Sequence, residues 1–233
     1  MTKTPMPTTV AAIALLMLIF ITCEKDALIE RKYIIVGTIQ KVLILGNSIT
    51  ITRPAPEIGW FGDWGMAATS ADNDYVHLLI NKFKTYNDSI EVRFASISHF
   101  ERQFWDFDYS QLKDFQSFAP DLIIIRIGEN VNEEDARNRE FQKYLHELIT
   151  YLRNGRQIAI CNTGTFWKSP AVTEQIEAIS EKENYIFVPL SDLSNKKSNL
   201  ATDQYVDPGV SAHPSDKGMK EIADRIARTL GLF

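Results

Sequence analysis

Short apolar runs that alternate with helical patterns constrain this fold more than any other feature of the sequence. Five runs rich in Val and Ile, most of them continuous rather than alternating, are typical of strands: 41–45, 90–96, 121–127, 157–162 and 185–189. Strands of this kind are covered on both faces, which is usual in parallel sheets.

Amphipathic patterns between these runs predict helices, over 74–86, 133–154, 170–184 and 215–230. Strands that alternate with helices imply right-handed crossover connections. We therefore expect an α/β fold, a three-layer α/β/α sandwich around a sheet of five parallel strands.

The N-terminus has the pattern of an export signal rather than of a folded segment. Lys3 precedes an uncharged apolar run over 10–22, which is short for a membrane span. Cys23 follows at once, and this arrangement resembles the lipobox of bacterial lipoproteins, in which the cysteine is lipidated. Thr22 and Phe20 depart from the usual lipobox residues, so an ordinary cleaved signal or an uncleaved anchor stays open.

These observations predict three segments. Residues 1–23 form a signal peptide that ends in Cys23, residues 24–38 a tether with a first extended segment, and residues 39–233 one folded domain. We expect an exported bacterial lipoprotein, periplasmic or at the outer membrane or cell surface. Its membrane contact would be through the N-terminal lipid anchor alone.

Charge and residue spacing argue against two classes of function. The formal net charge is −5 and no basic stripe is present, so nothing favours nucleic-acid binding. The 4 histidines are scattered and lack cysteine neighbours, so no metal-site spacing occurs. Cys161 lies in an apolar run and is predicted to be a buried core residue. We expect no metal and no organic cofactor.

A serine stands directly after the first predicted core strand. Gly46, Asn47 and Ser48 end the apolar run abruptly, which places the Ser48 hydroxyl at the carboxyl edge of the sheet, where open α/β folds bind ligands. Such a serine is a candidate nucleophile if a base reaches it. The alternative is a plain turn with Ser48 as a helix N-cap.

Two further segments are expected to meet Ser48 at this edge. Asn130 follows the most apolar strand and offers a side-chain amide to an oxyanion. His213, a residue that titrates near neutrality, precedes Pro214, which keeps it out of the last helix, and Ser215 is placed to cap that helix. A nucleophile, a base and oxyanion donors are the parts that acyl transfer requires.

These three motifs, in this order, resemble those of the SGNH/GDSL hydrolase superfamily over about residues 40–230. The resemblance implies a five-stranded flavodoxin-like sheet and the activity of an esterase, lipase or carbohydrate deacetylase. It assigns Ser48 as nucleophile, His213 as base and Asn130 as oxyanion donor, with the Ser48 N–H and a glycine N–H as further donors.

The sequence departs from the family pattern at three places. Asn47 stands where the family usually has aspartate, and the second-motif glycine is not evident, so the backbone near Ser98 is the expected donor there. The usual triad aspartate would fall at Val210. Either Asp207 reaches the imidazole, or a backbone carbonyl replaces the acid and leaves a Ser-His dyad.

Two segments are candidates for substrate contact. Trp60, Trp64 and Gly65 lie in a glycine-rich loop soon after Ser48 and are predicted to form a sugar-binding platform, although such aromatics also serve as packing. The segment 101–106, with Glu101, Arg102, Trp105 and Asp106, is either a second pocket wall or, as we favour, a solvated helix start.

We therefore expect a serine esterase that hydrolyses acyl groups, most simply acetyl groups, on a small-molecule or polysaccharide substrate outside the cytoplasm. Two alternatives remain. One is a catalytically inactive glycan-binding surface lipoprotein with the same fold. The other is a lipase or thioesterase with the same chemistry and a different pocket.

Overall fold

The computed structural model describes residues 38–232 of the chain. The proposed signal peptide, Cys23 and nearly all of the tether lie outside the described residues. Within the described part, five strands form one sheet with the order β2-β1-β3-β4-β5, and every neighbouring pair is parallel. The strands are β1 Lys41–Gly46, β2 Glu91–Ser96, β3 Leu122–Ile125, β4 Ala159–Thr163 and β5 Ile186–Val188.

Helices connect the strands. The α-helices are α1 Tyr75–Lys84, α2 Ser98–Arg102, α3 Lys113–Phe118, α4 Glu133–Asn138, α5 Phe141–Arg153, α6 Pro170–Lys182, α7 Pro208–Ser211 and α8 Asp216–Leu230. Short 3₁₀ helices occupy Pro56–Ile58, Ala71–Asn73, Phe104–Asp106, Tyr109–Leu112, Leu193–Asn195 and Lys197–Asn199. No helix between residues 38 and 232 combines the length and apolarity needed to cross a membrane.

The predicted fold class is confirmed: the sheet is parallel, five-stranded and flanked by helices. The single helix predicted over 133–154 is wrong in one respect. It is two helices, α4 and α5, because Glu140 adopts a left-handed backbone conformation with φ of 54°. No proline or glycine marks this break in the sequence.

The core explains why the two central strands, β1 and β3, are almost entirely apolar. Leu43 and Leu45 of β1 belong to a buried cluster with residues of α5 and α6, such as Leu148 and Ile176. Val42 and Ile44 are also fully buried, and alternation along a strand turns them to the opposite face. Helices α1 and α8, which contact each other, cover that face.

The strand order locates the binding crevice. From β1 the chain crosses to β2 on one side and then to β3 on the other, so the connections diverge at the carboxyl ends of β1 and β3. In sheets of this order, ligands bind at that switch point. Ser48 follows β1 and Asn130 follows β3, so both lie at this edge.

Candidate active site

A tight turn after β1 holds Ser48. The backbone N–H groups of Thr50 and Ile51 both donate to the Asn47 carbonyl, at 2.9 and 3.1 Å. Gly46 is required here, since a Cβ at this position would lie 1.8 Å from Oγ1 of Thr50 and 3.0 Å from the Arg126 carbonyl oxygen. The turn leaves the half-buried Ser48 side chain accessible at the edge of the sheet.

Ser48 and His213 are in direct contact across 165 residues of sequence. The Oγ of Ser48 lies 2.8 Å from Nε2 of His213. The main chain of His213 is fixed by antiparallel pairing with residues 199–201, where Ala201 N–H donates to the His213 carbonyl at 2.9 Å. Ser215 accepts from the Gly218 N–H and caps α8. The turn and this pairing therefore hold the Ser48 hydroxyl and the His213 imidazole at hydrogen-bond distance.

The partner of the other imidazole nitrogen corrects the assignment of Asp207. Nδ1 of His213 lies 2.7 Å from the carbonyl oxygen of Gly209. The carboxylate of Asp207 instead caps α7, where its Oδ1 accepts the Val210 N–H at 2.9 Å. The Asp207 carboxylate is engaged as this N-cap because the next residues, Pro208 and Gly209, already belong to α7. The arrangement is a Ser-His dyad oriented by a carbonyl.

The Gly209 carbonyl also determines the tautomer of His213. A carbonyl oxygen only accepts, so Nδ1 carries the proton and Nε2 presents its lone pair to the Ser48 hydroxyl. Burial lowers the pKa of His213, and this outweighs the hydrogen bond to Gly209, which raises it. The imidazole is therefore neutral and able to accept a proton at neutral pH.

We expect the pH dependence of hydrolysis to follow this depressed pKa. Only the neutral imidazole accepts a proton, so kcat/KM should be at its plateau near neutrality and fall as the pH drops through a midpoint below 6.5. A pH–rate profile measures the midpoint. Titration of His213 by NMR in Ser48→Ala provides an independent value, and a midpoint at or above 6.5 in both would contradict the expectation.

The predicted oxyanion donors are linked by two charged side chains of α2. Glu101 accepts from Nδ2 of Asn130 at 2.7 Å, and Arg102 donates to Oδ1 of Asn130 at 3.3 Å and to Oγ of Ser98 at 3.1 Å. Among residues 38–232, the backbone N–H of Ser48 has no acceptor. Ser98, the first residue of α2, and Asn130, in the loop after β3, are therefore linked at the sheet edge that also carries Ser48.

A buried polar network lies beneath these donors. Arg126 and Glu129 form an ion pair at 2.8 Å, with side chains 0% and 3% exposed. Nδ2 of Asn47 donates to Glu101 at 3.0 Å and to Glu129 at 2.6 Å. Glu101 is only 1% exposed, so the expectation of a solvated helix start is wrong for this residue.

Electrostatics within this network oppose further negative charge. Burial raises the pKa of Glu101, and the charge of Glu129 raises it further, while hydrogen bonds from Asn47, Gly128 and Asn130 act in the opposite direction. For Arg126, burial is the largest single effect and lowers the pKa, but the neighbouring negative charges, first that of Glu129, and the hydrogen bond to Glu129 together raise the pKa overall. The network thus contains one ion pair and one additional carboxyl group.

The predicted sugar platform is not exposed. Trp60 is 2% exposed and its Nε1 donates to the Thr52 carbonyl at 3.1 Å. Trp64 is half-buried, contacts Trp60 edge to face and donates to the Ala68 carbonyl, and Gly65 is buried. The two tryptophans pack in a cluster with Val210, so they support the segment that leads to His213 rather than present an open face to a sugar.

The aromatic residue that does adjoin the base is Trp167, which the sequence interpretation missed. Its ring lies 5.2 Å from the His213 ring in an edge-to-face arrangement, and its Nε1 donates to the Ala212 carbonyl at 3.1 Å. Its position after β4, at the same sheet edge, is the sequence signal that could have identified it. Trp105, by contrast, is covered by Arg139, whose guanidinium lies 4.1 Å from its ring centroid, while Asp106 is exposed.

Comparison with solved structures identifies the same architecture in esterases. An α/β hydrolase from the metagenome of Lake Arreo, LAE5, aligns over 83% of this chain and 95% of its own, with 16% identity and a TM-score of 0.56. Axe2, an acetylxylan esterase from Geobacillus stearothermophilus, aligns over the same shares with 18% identity and a TM-score of 0.54. This chain shares the α/β fold of these two enzymes.

A third similar structure is a two-domain esterase, CEX, active on acetylated mannans and crystallised with mannopentaose. It aligns over 82% of this chain and 48% of its own, with 17% identity and a TM-score of 0.57. No protein-family model matches the sequence, and no curated protein matches it significantly. At these identities the similarity establishes the fold, and the chemistry has to be argued from the site.

Proposed function

We propose that this protein is a serine esterase that removes acyl groups, most simply acetyl groups, from carbohydrate esters. The observation that carries the proposal is the 2.8 Å contact between Oγ of Ser48 and Nε2 of His213. A neutral imidazole with its lone pair on a serine hydroxyl is the arrangement that activates serine as a nucleophile. The similarity of the fold to acetylxylan and acetylmannan esterases supports acetylated carbohydrate as the substrate class.

In the proposed acylation step, Oγ of Ser48 attacks the ester carbonyl carbon while Nε2 of His213 takes the hydroxyl proton. The carbonyl electron pair moves to oxygen, and the Ser48 N–H and the Asn130 carboxamide stabilise that oxyanion. The tetrahedral intermediate collapses when His213 gives its proton to the departing sugar oxygen. The Gly209 carbonyl holds Nδ1–H throughout and stabilises the transient imidazolium.

Deacylation repeats these steps with water. His213 removes a proton from a water molecule, the hydroxide attacks the acyl carbon, and the carboxylate product leaves as Ser48 recovers its proton. Each turnover consumes one ester and one water and yields one alcohol and one carboxylic acid. The Ser-His pair and the oxyanion donors carry every proton and charge in this scheme.

The test combines covalent labelling with a substrate panel. We expect a fluorophosphonate probe to label the protein at Ser48, with labelling abolished in Ser48→Ala. We also expect hydrolysis of p-nitrophenyl acetate and release of acetate from acetylated xylo- or manno-oligosaccharides. Absence of labelling and turnover would instead support the inactive glycan-binding alternative, and a preference for long acyl chains or thioesters would support a lipase or thioesterase.

We further propose that the protein is exported and anchored by a lipid on Cys23, as its N-terminal sequence pattern favours. Incorporation of an alkyne-tagged fatty acid measures this directly. Labelling is expected in the full chain and should be lost in Cys23→Ser. Equal labelling of both would remove Cys23 from the proposal.

A further inference from the structure

We propose that Glu101 is a positioning residue that, together with Arg102, holds the carboxamide of Asn130 in the orientation that donates to the oxyanion. The proposal rests on the esterase function, because it concerns the role of Asn130 in that reaction. It assigns a purpose to a buried carboxylate that the dyad itself does not use.

The orientation of a carboxamide is decided by its hydrogen-bond partners, since its two ends are nearly equal in shape. Nδ2 of Asn130 donates to Oε2 of Glu101 at 2.7 Å, and its Oδ1 accepts from Nη2 of Arg102 at 3.3 Å. A carboxylate only accepts and a guanidinium only donates. A rotation of the amide by 180° would therefore break both bonds, and the pair selects one orientation.

In this orientation, one N–H of the carboxamide has no acceptor among residues 38–232. Nδ2 carries two hydrogens, and the bond to Glu101 uses one of them. The second is available to an acceptor outside the protein. An oxyanion that develops at Ser48 is the acceptor that the proposed reaction supplies.

Glu101 also connects the loop after β3 to the turn that carries Ser48. Its Oε1 accepts from the backbone N–H of Gly128 at 2.6 Å, from that of Asn130 at 3.3 Å and from Nδ2 of Asn47 at 3.0 Å. The carboxylate is 1% exposed, so water does not compete for these bonds. One side chain thus fixes both the direction of the Asn130 amide and its placement relative to the residue before Ser48.

A double-mutant cycle tests the proposal on the full chain. We expect Asn130→Ala to reduce kcat about 10²- to 10³-fold, as the loss of one oxyanion donor does. Glu101→Gln replaces one carboxylate oxygen with an amide group that cannot accept the hydrogen bonds donated to it. This change should reduce kcat roughly 10- to 100-fold, with KM changed less than about 3-fold. If Glu101 acts through Asn130, the double variant should resemble Asn130→Ala within about 3-fold.

Arg102 provides a second cycle at an exposed position, so that a failure of Glu101→Gln to fold still leaves a decisive result. Arg102→Leu removes the donor to Oδ1 and should reduce kcat about 3- to 10-fold, with little further effect in the Asn130→Ala background. Matched controls are Glu57→Gln and Arg137→Leu, two exposed positions that make no contact with Asn130. Both should retain wild-type kcat.

The outcomes separate this inference from the proposed function. Effects that multiply in both double variants would show that the two residues act independently of Asn130 and would overturn the proposal, as would wild-type kcat in Glu101→Gln. If the wild-type protein neither hydrolyses esters nor reacts with the fluorophosphonate, the esterase function fails and this proposal fails with it.

Discussion

Replacing His213 with glutamine should reduce kcat for ester hydrolysis by about 10⁴- to 10⁶-fold, the range seen when a serine hydrolase loses its base. Glutamine can still meet the Ser48 hydroxyl, but it cannot take up a proton near neutrality, so the step that forms the nucleophile is lost. Steady-state kinetics with p-nitrophenyl acetate measure the effect. Ser48→Ala combined with His213→Gln should be little worse than either change alone, because the two residues act as a unit.

Asp207→Asn is the matched comparison for this prediction. Loss of a triad aspartate reduces kcat about 10⁴-fold where a triad depends on it. Here the Gly209 carbonyl holds Nδ1, and asparagine caps a helix about as well as aspartate. We therefore expect kcat within about 5-fold of wild type. A 10³-fold or larger loss, with the thermal midpoint unchanged, would contradict the dyad and restore Asp207 as the orienting acid.

Replacing Asn47 with aspartate, the usual residue in the SGNH/GDSL motif that the sequence resembles, should destabilise this protein. Nδ2 of Asn47 donates to two carboxylates, Glu101 at 3.0 Å and Glu129 at 2.6 Å, and Asn47 is fully buried. Asn47→Asp would replace that donor with a third acceptor beside them. Arg126 donates to Oδ1 of Asn47 at 2.6 Å and would partly compensate the new charge, but it already pairs with Glu129. We therefore expect the free energy of unfolding at neutral pH to fall by about 1–3 kcal/mol, the cost of leaving buried acceptors without a donor. Denaturant unfolding measures the change.

The pH dependence of this variant has a definite sign. In the folded variant, one carboxyl of the cluster would have a pKa above its value in the unfolded state. The folded state would therefore bind a proton more tightly than the unfolded state. The penalty is then present at neutral pH and decreases as the pH falls through that raised pKa. Asn132→Asp makes the same chemical change at the exposed N-cap of α4 and should leave stability within about 0.5 kcal/mol. Equal stability of the two variants would contradict the prediction.

The regular elements were predictable because their signals are local. Runs rich in Val and Ile, most of them continuous, identified the five strands, and helical spacing identified the long helices that cover them. The break between α4 and α5 was not predictable in the same way. It depends on the left-handed conformation of Glu140, a residue with no intrinsic preference for that conformation.

The site was predictable where a motif imposes its own geometry. The turn after β1 and the segment before α8 carry Ser48 and His213, and the structure places them in contact. Features that depend on contacts between distant loops were missed. Burial of Trp60 depends on the segment that contains Val210, and burial of Glu101 depends on Asn47 and the loop after β3. From sequence alone, a charged residue at a helix start is predicted to be exposed to solvent, and only its contacts in the structure show that it is buried.

The carbonyl of Gly209 has a consequence for how His213, the proposed base, tolerates substitutions around it. A main-chain oxygen survives every side-chain replacement, so no single substitution at position 209 deletes the group that aligns the imidazole; only a shift of the backbone can remove it. It also has no ionisation of its own in the working range. The hydrogen bond that orients the imidazole therefore does not depend on the ionisation of its acceptor. Because the acceptor is part of the α7 backbone, it is retained as long as that helix forms.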